Sequence, residues 1–279
     1  MDHEVFIPVV LAIGGSDTSA GAGIQADLKT IHAHGAYGAT VITALTSQDT
    51  AGVHASFTTP SDVLEMQLRT VLADMHLGAI KVGMVPTAEA AMKIAAVLGD
   101  SERVPLVFDP VMGSSSGFVL SSREAILSAC EALTPYATLL TPNIPEAESL
   151  LGRSIRDRAQ ATEAARELRA RFGCAVLVKG GHLPAEQDPV DILSDSDGEY
   201  ELQGFRLEVS HTHGTGCCLS SAIAVQLALG AQLRFAVKEA KAFVARALLY
   251  PVTTGGSPSA FDPFCGRLHE ADSPDHDHQ

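Results

Sequence analysis

Basic residues are scarce. The 279-residue chain carries 19 Lys and Arg against 33 Asp and Glu, a formal net charge of −14. Four of those acids (Glu270, Asp272, Asp275, Asp277) lie in a C-terminal stretch without Lys or Arg. A chain this acidic repels a phosphate backbone, which argues against nucleic acid as a partner. A local electropositive pocket would still admit a small anion. Cysteine is sparse and odd in number: Cys130, Cys174, Cys217, Cys218 and Cys265, with no C-x-x-C pair. That argues against a disulfide scaffold or a zinc site and fits a reducing compartment. No apolar run reaches the roughly 18 residues that a membrane helix needs. The short apolar start at 5–13 follows Asp2 and Glu4 and lacks a basic flank, so it does not read as a signal peptide. Repeats and Ser- or Pro-rich linkers are missing as well. The expectation is a soluble, cytoplasmic protein with one domain over 1–270 and a disordered acidic, His-containing tail over 271–279.

What the chain does contain is a rhythm. Apolar runs at 9–13, 39–45, 79–85, 104–108, 137–140 and 175–178 mostly do not alternate with polar residues. Strands buried on both faces read this way, which predicts a largely parallel sheet. Helical spacing fills the gaps at 24–33, 61–75, 158–172, 215–229 and 235–249. Thr59-Pro60 supplies an N-cap and a first-turn proline for the second of these. Ser121 and Glu124 have capping-box spacing before Ile126 and Leu127. Strand–helix alternation predicts an α/β sandwich with helices on both faces. The stretch 188–209 breaks the rhythm and reads as two or three antiparallel strands with a turn near Asp197-Gly198.

Five segments at strand ends or helix starts carry chemistry. His213-Gly-Thr-Gly-Cys-Cys218 places a glycine-rich turn directly before a helix, where free N–H groups and the positive end of the dipole attract an anion. Such a turn can also merely begin a helix. Cys217, in the first turn, is expected to have a lowered pKa and to serve as base or nucleophile; the alternative is a small residue filling a tight turn. Gly14-Gly-Ser-Asp-Thr-Ser-Ala-Gly-Ala-Gly23 reads as a glycine loop at a strand end that borders a substrate pocket. Asp27 either points into that pocket or complements the helix dipole. Gly21, Gly23 and Ala26 formally match a dinucleotide fingerprint. The first strand ends near Ile13, though, and no acid stands between Asp27 and Asp49, so an NAD(P) oxidoreductase is set aside.

Asp109 closes an apolar strand before Pro110, placed for a metal or phosphate role or for a turn. Asn143 and Glu146 follow another strand, spaced either to approach one Mg²⁺ site or to cap a helix. Lys179 precedes Gly180 and Gly181, a phosphate contact or a solvated lysine. Jointly these are the parts of a phosphoryl-transfer site.

In this order the segments resemble the ribokinase-like superfamily, and within it the hydroxymethylpyrimidine kinase/phosphomethylpyrimidine kinase family of thiamine biosynthesis. The matching stretches are Ala12-Ile-Gly-Gly-Ser-Asp17, Gly21-Ala-Gly-Ile-Gln-Ala-Asp-Leu-Lys-Thr30, Val41-Ile-Thr-Ala-Leu-Thr46, Gly83-Met84, Asp109-Pro-Val-Met112, Thr141-Pro-Asn-Ile-Pro-Glu146, Lys179-Gly-Gly-His182 and His213-Gly-Thr-Gly-Cys217. The resemblance implies a three-layer sandwich with a mostly parallel central sheet and a few antiparallel strands. It implies ATP-dependent phosphorylation of a hydroxymethylpyrimidine and of its monophosphate, with Mg²⁺. By motif, Gly15, Asp27, Gln48 and Met84 line the pyrimidine pocket, and Gly214, Thr215 and Gly216 form the anion hole. Cys217 stands where sugar kinases of the superfamily carry an Asp base. Asp109, Asn143, Glu146 and Lys179 serve the ATP phosphates, with Asp109 and Glu146 holding Mg²⁺ partly through water. A homodimer through strands within 188–209 is implied as well. The chain departs from the family at Asp49, where Asn is frequent, and in Met112-Gly-Ser-Ser-Ser-Gly117, which lacks a lysine that some members carry. Pyridoxal kinase is the alternative activity. Members of that branch can have Met in place of Gln48, whose amide offers a donor and an acceptor to a ring edge. A sensor that binds without turnover is the alternative outside enzymology.

Overall fold

The computed structural model describes residues 7–114, 117–182, 189–204, 213–253 and 258–264. Chain order begins with β1 (Val9–Asp17), α1 (Gly23–Ala33), β2 (Tyr37–Gln48), β3 (Val53–Thr58) and α2 (Ser61–Asp74). It continues with β4 (Leu77–Val82), α3 (Ala88–Gly99), β5 (Leu106–Phe108), α4 (Arg123–Leu133), β6 (Leu139–Leu140) and α5 (Ile144–Leu151). Then come α6 (Arg158–Phe172), β7 (Ala175–Val178), β8 (Val190–Asp195), β9 (Gly198–Gln203), α7 (Thr215–Ala228) and α8 (Leu233–Ala247). β10 (Pro251–Thr253) and β11 (Pro258–Phe261) make a small antiparallel pair.

Among the described residues nine strands form one sheet in the order β3-β2-β1-β4-β5-β6-β7-β8-β9. All pairings from β2 through β7 are parallel; β3, β8 and β9 add antiparallel edges. Side-chain parity sorts the apolar runs into two layers. Leu11, Ile13, Leu106, Phe108, Val176 and Val178 pack against α2 to α6. Val10, Ala12, Val107 and Leu177 pack against α1, α7 and α8. Both faces are covered, so these strands need no polar alternation. The α/β sandwich with helices on both faces is therefore as expected, including β8 and β9, whose turn falls at Ser196-Asp197, one residue before the expected place. No helix among the described residues is long and apolar enough to cross a membrane.

The strand order reverses at β1, which has β2 on one side and β4 on the other. In open α/β sheets the crevice outside the carboxyl ends at such a point receives ligands. Here that crevice is bordered by the ends of β1 and β4.

Several local expectations shift. β1 does not stop at Ile13 but runs through both glycines to Asp17, with a register shift against β2 between Gly14 and Gly15. Gly15 is thus a strand residue, and the loop begins only at Thr18. α2 starts at Ser61 with Pro60 as its cap residue, and Thr59 does not cap it. Ser122, one residue later than Ser121, caps α4 by accepting from Ala125 N. Ser121 instead donates to Val85 O at 3.0 Å. β3, α3 and the β10–β11 pair were not expected from the sequence pattern. The tail at 271–279, Cys265 and residues 205–209 lie outside the described residues.

Candidate active site

The parallel strands deliver their polar ends side by side. Asp109 follows β5, Thr141 follows β6 and Lys179 follows β7. Lys179 donates to Asp109 Oδ1 at 2.6 Å, and Thr141 donates to the same oxygen at 2.9 Å. Asp109 is almost fully buried and Lys179 nearly so. Burial alone would lower the Lys179 ammonium's pKa, but Asp109 and Glu146 outweigh it and hold the pKa above its ordinary value. Asn143 and Glu146 form a complete capping box on α5: Glu146 N donates to Asn143 Oδ1 at 2.9 Å, and Asn143 N donates to Glu146 Oε2 at 2.7 Å. Both sequence readings of this pair thus coexist, since the cap also borders the cavity. Burial pushes the Glu146 carboxyl up to about 7; Lys179 pulls it back and Asp109 adds to the rise.

Opposite these strand ends stands the start of α7. Gly214 caps it in the left-handed region, φ 84°, where a side chain would be strained and its Cβ would collide with Gly21 O. The glycine turn of α7 is therefore seated on the glycine loop that precedes α1. The first intrahelical bond runs from Cys218 N to Gly214 O at 2.9 Å. The N–H groups of Thr215, Gly216 and Cys217 precede it, at the end where a helix attracts anions. A Cβ on Gly216 would stand 3.4 Å from Lys179 Nζ and 3.5 Å from Asp109 Oδ2, so the turn and the ion pair are adjacent.

Asp17 ties the two loops together. It accepts from Ser19 N and Ser19 Oγ at 2.8 Å and from Ala22 N at 2.7 Å, and His213 Nε2 lies 3.3 Å away. Burial alone would raise its pKa, but the bonds from His213, Ser19 and Ala22 hold its carboxyl below the usual range. His213 Nε2 also lies 3.0 Å from the Gln48 amide. Met84, after β4, packs so tightly on Gly15 that a Cβ there would come within 2.8 Å of its sulfur. These groups line one cavity of about 710 Å³ with Asp109, Asn143, Glu146, Lys179 and the α7 turn. Every site residue singled out in the sequence borders it. Met112 to Ser114 and Gly117 to Leu120 also line it, with Ser114 N donating to Phe118 O at 2.9 Å and Leu120 N to Met112 O at 2.9 Å.

Two expectations change here. The Cys217 thiol is not lowered: burial pushes it up to about 11, and although Lys81 opposes this, Asp27 and Asp109 add to it. Asp27 borders the cavity but is fully buried, and its carboxylate is engaged inward. Both oxygens accept from Lys81 at 2.8 Å, and Ser221 donates at 2.8 Å. Lys81 is the residue that sequence reasoning missed. Its one signal was a cation interrupting the apolar run 79–85. Among the described residues no group of three or more His, Cys, Asp or Glu side chains is placed to hold a metal.

The Phosphomethylpyrimidine kinase family matches residues 17–261. The chain belongs to the phosphomethylpyrimidine kinase family. It is 40% identical over 255 residues to the hydroxymethylpyrimidine/phosphomethylpyrimidine kinase of Streptomyces coelicolor, covering 91% of this chain and 94% of that protein. It is 43% identical over 264 residues to the chloroplastic thiamine biosynthetic bifunctional enzyme of Arabidopsis thaliana, covering 93% of this chain. The chain spans only 51% of that bifunctional relative's length. The structure of Staphylococcus aureus pyridoxal kinase in complex with AMP-PCP and pyridoxal superposes with a TM-score of 0.86 at 32% identity, covering 94% of this chain and 96% of that one. The fold is thus the ribokinase-like sandwich that the family resemblance implied.

Proposed function

We propose that the chain transfers the γ-phosphoryl group of ATP to the hydroxymethyl group of 4-amino-5-hydroxymethyl-2-methylpyrimidine, and then to the resulting monophosphate, giving the diphosphate for thiamine biosynthesis. One observation carries the reading. The α7 turn, the Lys179–Asp109 pair, Gln48, Met84 and Gly15 all line a single cavity. Groups suited to an anion and groups suited to a small flat ring thereby share one cavity, and family membership supplies the chemistry.

In this reading the Gln48 amide reads the ring edge, and Met84 packs on the ring face. The backbone N–H groups at Thr215 and Gly216 meet the charge that develops on the transferring phosphoryl oxygens. Lys179 neutralises phosphate charge. Asp109 and Glu146 are hard oxygen donors of the kind that bind Mg²⁺ through one or two carboxylates, with waters and substrate phosphates completing the shell. Bound Mg²⁺ would neutralise phosphate charge in the transfer. Cys217 is the side chain in the turn able to take the hydroxyl proton. Its raised pKa makes that step dependent on pH. The chain acts in the cytoplasm as a homodimer in this reading; light scattering tests the second point.

The test is ATP turnover measured side by side with the hydroxymethylpyrimidine, its monophosphate and pyridoxal. The expected result is the highest kcat/KM with the pyrimidines. A preference for pyridoxal moves the chain to the pyridoxal kinase branch. No ATP turnover with any of the three overturns the kinase reading.

A further inference from the structure

Lys81 lies on β4 in the middle of the sheet, beside Ala12 of β1 and Val107 of β5. Both neighbours belong to the apolar layer under α1, α7 and α8. Lys81 is 1% exposed and its partner Asp27 0% exposed. An ion pair in such a place is weak support for stability, because an apolar pair of similar volume is often equal or better. Its location points elsewhere. Asp27 comes from α1, and Ser221 of α7 donates to it, so the pair pins the two helices whose glycine turns meet at the cavity. The space around the ammonium is reserved, since a Cβ on Gly83 would stand 2.7 Å from Lys81 Nζ. Ser220, next to Ser221, donates to Gly216 O at 2.9 Å and to Cys217 O at 3.1 Å, and so holds the turn from behind.

We propose that Lys81 is a positioning residue for phosphoryl transfer, acting through Asp27 and Ser221 on the start of α7 and through its charge on Cys217. Around Cys217 the charged groups are Lys81 and Lys179 on the cationic side and Asp27 and Asp109 on the anionic side, with the Gly23 N–H also facing the sulfur. Lys81 eases ionisation of the thiol more than the Gly23 N–H does, and Asp27 opposes it. The ammonium itself remains charged. Burial alone would lower its pKa, but Asp27, Cys217 and Asp109 raise it above the ordinary value. Burial draws the Asp27 carboxyl upward, and the two bonds from Lys81 and one from Ser221 oppose that rise.

The inference rests on the phosphoryl-transfer reading, but its first readout needs no turnover. The rate of Cys217 alkylation by iodoacetamide is followed by peptide mass spectrometry at pH 8 in wild type, Lys81→Met, Asp27→Asn and the double variant. A charge effect has opposite signs in the two single variants. Lys81→Met should slow alkylation about tenfold, the change that one pKa unit produces, and Asp27→Asn should speed it by a similar factor. A purely structural ion pair would loosen the packing in both, and faster alkylation in both overturns the proposal, as does an unchanged rate in both. The second readout is kinetic: folded Lys81→Met, which loses both the tether and the charge, should lose kcat by tenfold or more while KM for ATP stays within a few-fold. If a single variant does not fold, the double variant, which buries no orphan charge, decides; wild-type kcat in the folded double overturns the proposal. Failure of wild-type turnover defeats the kinase reading and leaves the alkylation result standing on its own.

Discussion

Replacing Cys217 with alanine separates the chemistry of the α7 turn from its backbone. The substrate hydroxyl loses a proton as it attacks the γ-phosphoryl group, and a positioned base typically contributes 10²–10⁴-fold. Phosphoryl transfer leans on positioning and electrostatics, so the low end of that range, about 10²-fold in kcat at neutral pH, is expected. The half-buried thiol, pushed up to about 11, is almost wholly protonated at pH 7. Forming the thiolate there costs about 5 kcal/mol. The sign follows: the competent fraction grows about tenfold per pH unit until the pH approaches the thiol's pKa. The chemical step, measured by single-turnover quench-flow at saturating ATP, should rise from pH 7 to 9 in wild type and stay flat in Cys217→Ala. The gap between them should widen accordingly. Cys217→Ser should resemble alanine, because a hydroxyl resists ionisation in this range. Cys218, packed with Ala26 and Ala247 away from the turn's open end, supplies the control; Cys218→Ala should retain activity with a small loss of stability. A Cys217→Ala protein with near wild-type kcat and the same pH slope would refute the argument. The turn would then act through its N–H groups alone, with the thiol as filler.

Gln48→Met should lower pyrimidine kcat/KM by one to two decades, since unpaired ring heteroatoms cost about 1–3 kcal/mol, while ATP affinity stays near wild type. Steady-state kinetics with both substrates checks this. Asp109→Asn and Glu146→Gln should each raise the Mg²⁺ concentration for half-maximal rate; titrations that overlay wild type leave both residues as turn and capping groups only. Glu146→Gln also tests linkage. The folded carboxyl titrates at about 7, above its value in the unfolded chain, so wild-type stability falls as pH rises from the ordinary carboxylate range to about 7. The glutamine variant keeps an acceptor for Asn143 N and lacks that loss. In urea unfolding it should gain on wild type between pH 5 and 8. Gly214→Ala, forced into the left-handed region and against Gly21 O, should lower thermal stability and kcat together, because the turn cannot stay seated on the glycine loop. Unchanged melting and kcat would show that the turn tolerates the displacement.

Much of this arrangement is written locally in the chain. The two-faced apolar runs, the Asn143–Glu146 box and the glycine turn ahead of Leu219 and Ile223 depend on residues a few positions apart, where periodicity and capping act. Strand ends in a parallel sheet lie on one edge, so Asp109 after β5 and Lys179 after β7 could be assigned to one site before any coordinates. Three features were not legible, for related reasons. The short edge strand β3, half-exposed, takes its pairing from β2 and carries little apolar signal of its own. The continuation of β1 through Gly14 and Gly15 is set by its neighbour β2, because isolated glycines read as a turn. The partnership of Lys81 with Asp27 joins residues 54 positions apart. Sequence by itself thus determined the layers, the glycine turn and the roster of polar groups at the strand ends. Tertiary structure alone decided how those groups are charged. Removal from water holds the Cys217 thiol at about 11 and the Glu146 carboxyl at about 7, and Asp27 is paired with Lys81 at the cavity's border. Desolvation is a property of everything packed around a group, and no spacing along the chain encodes it.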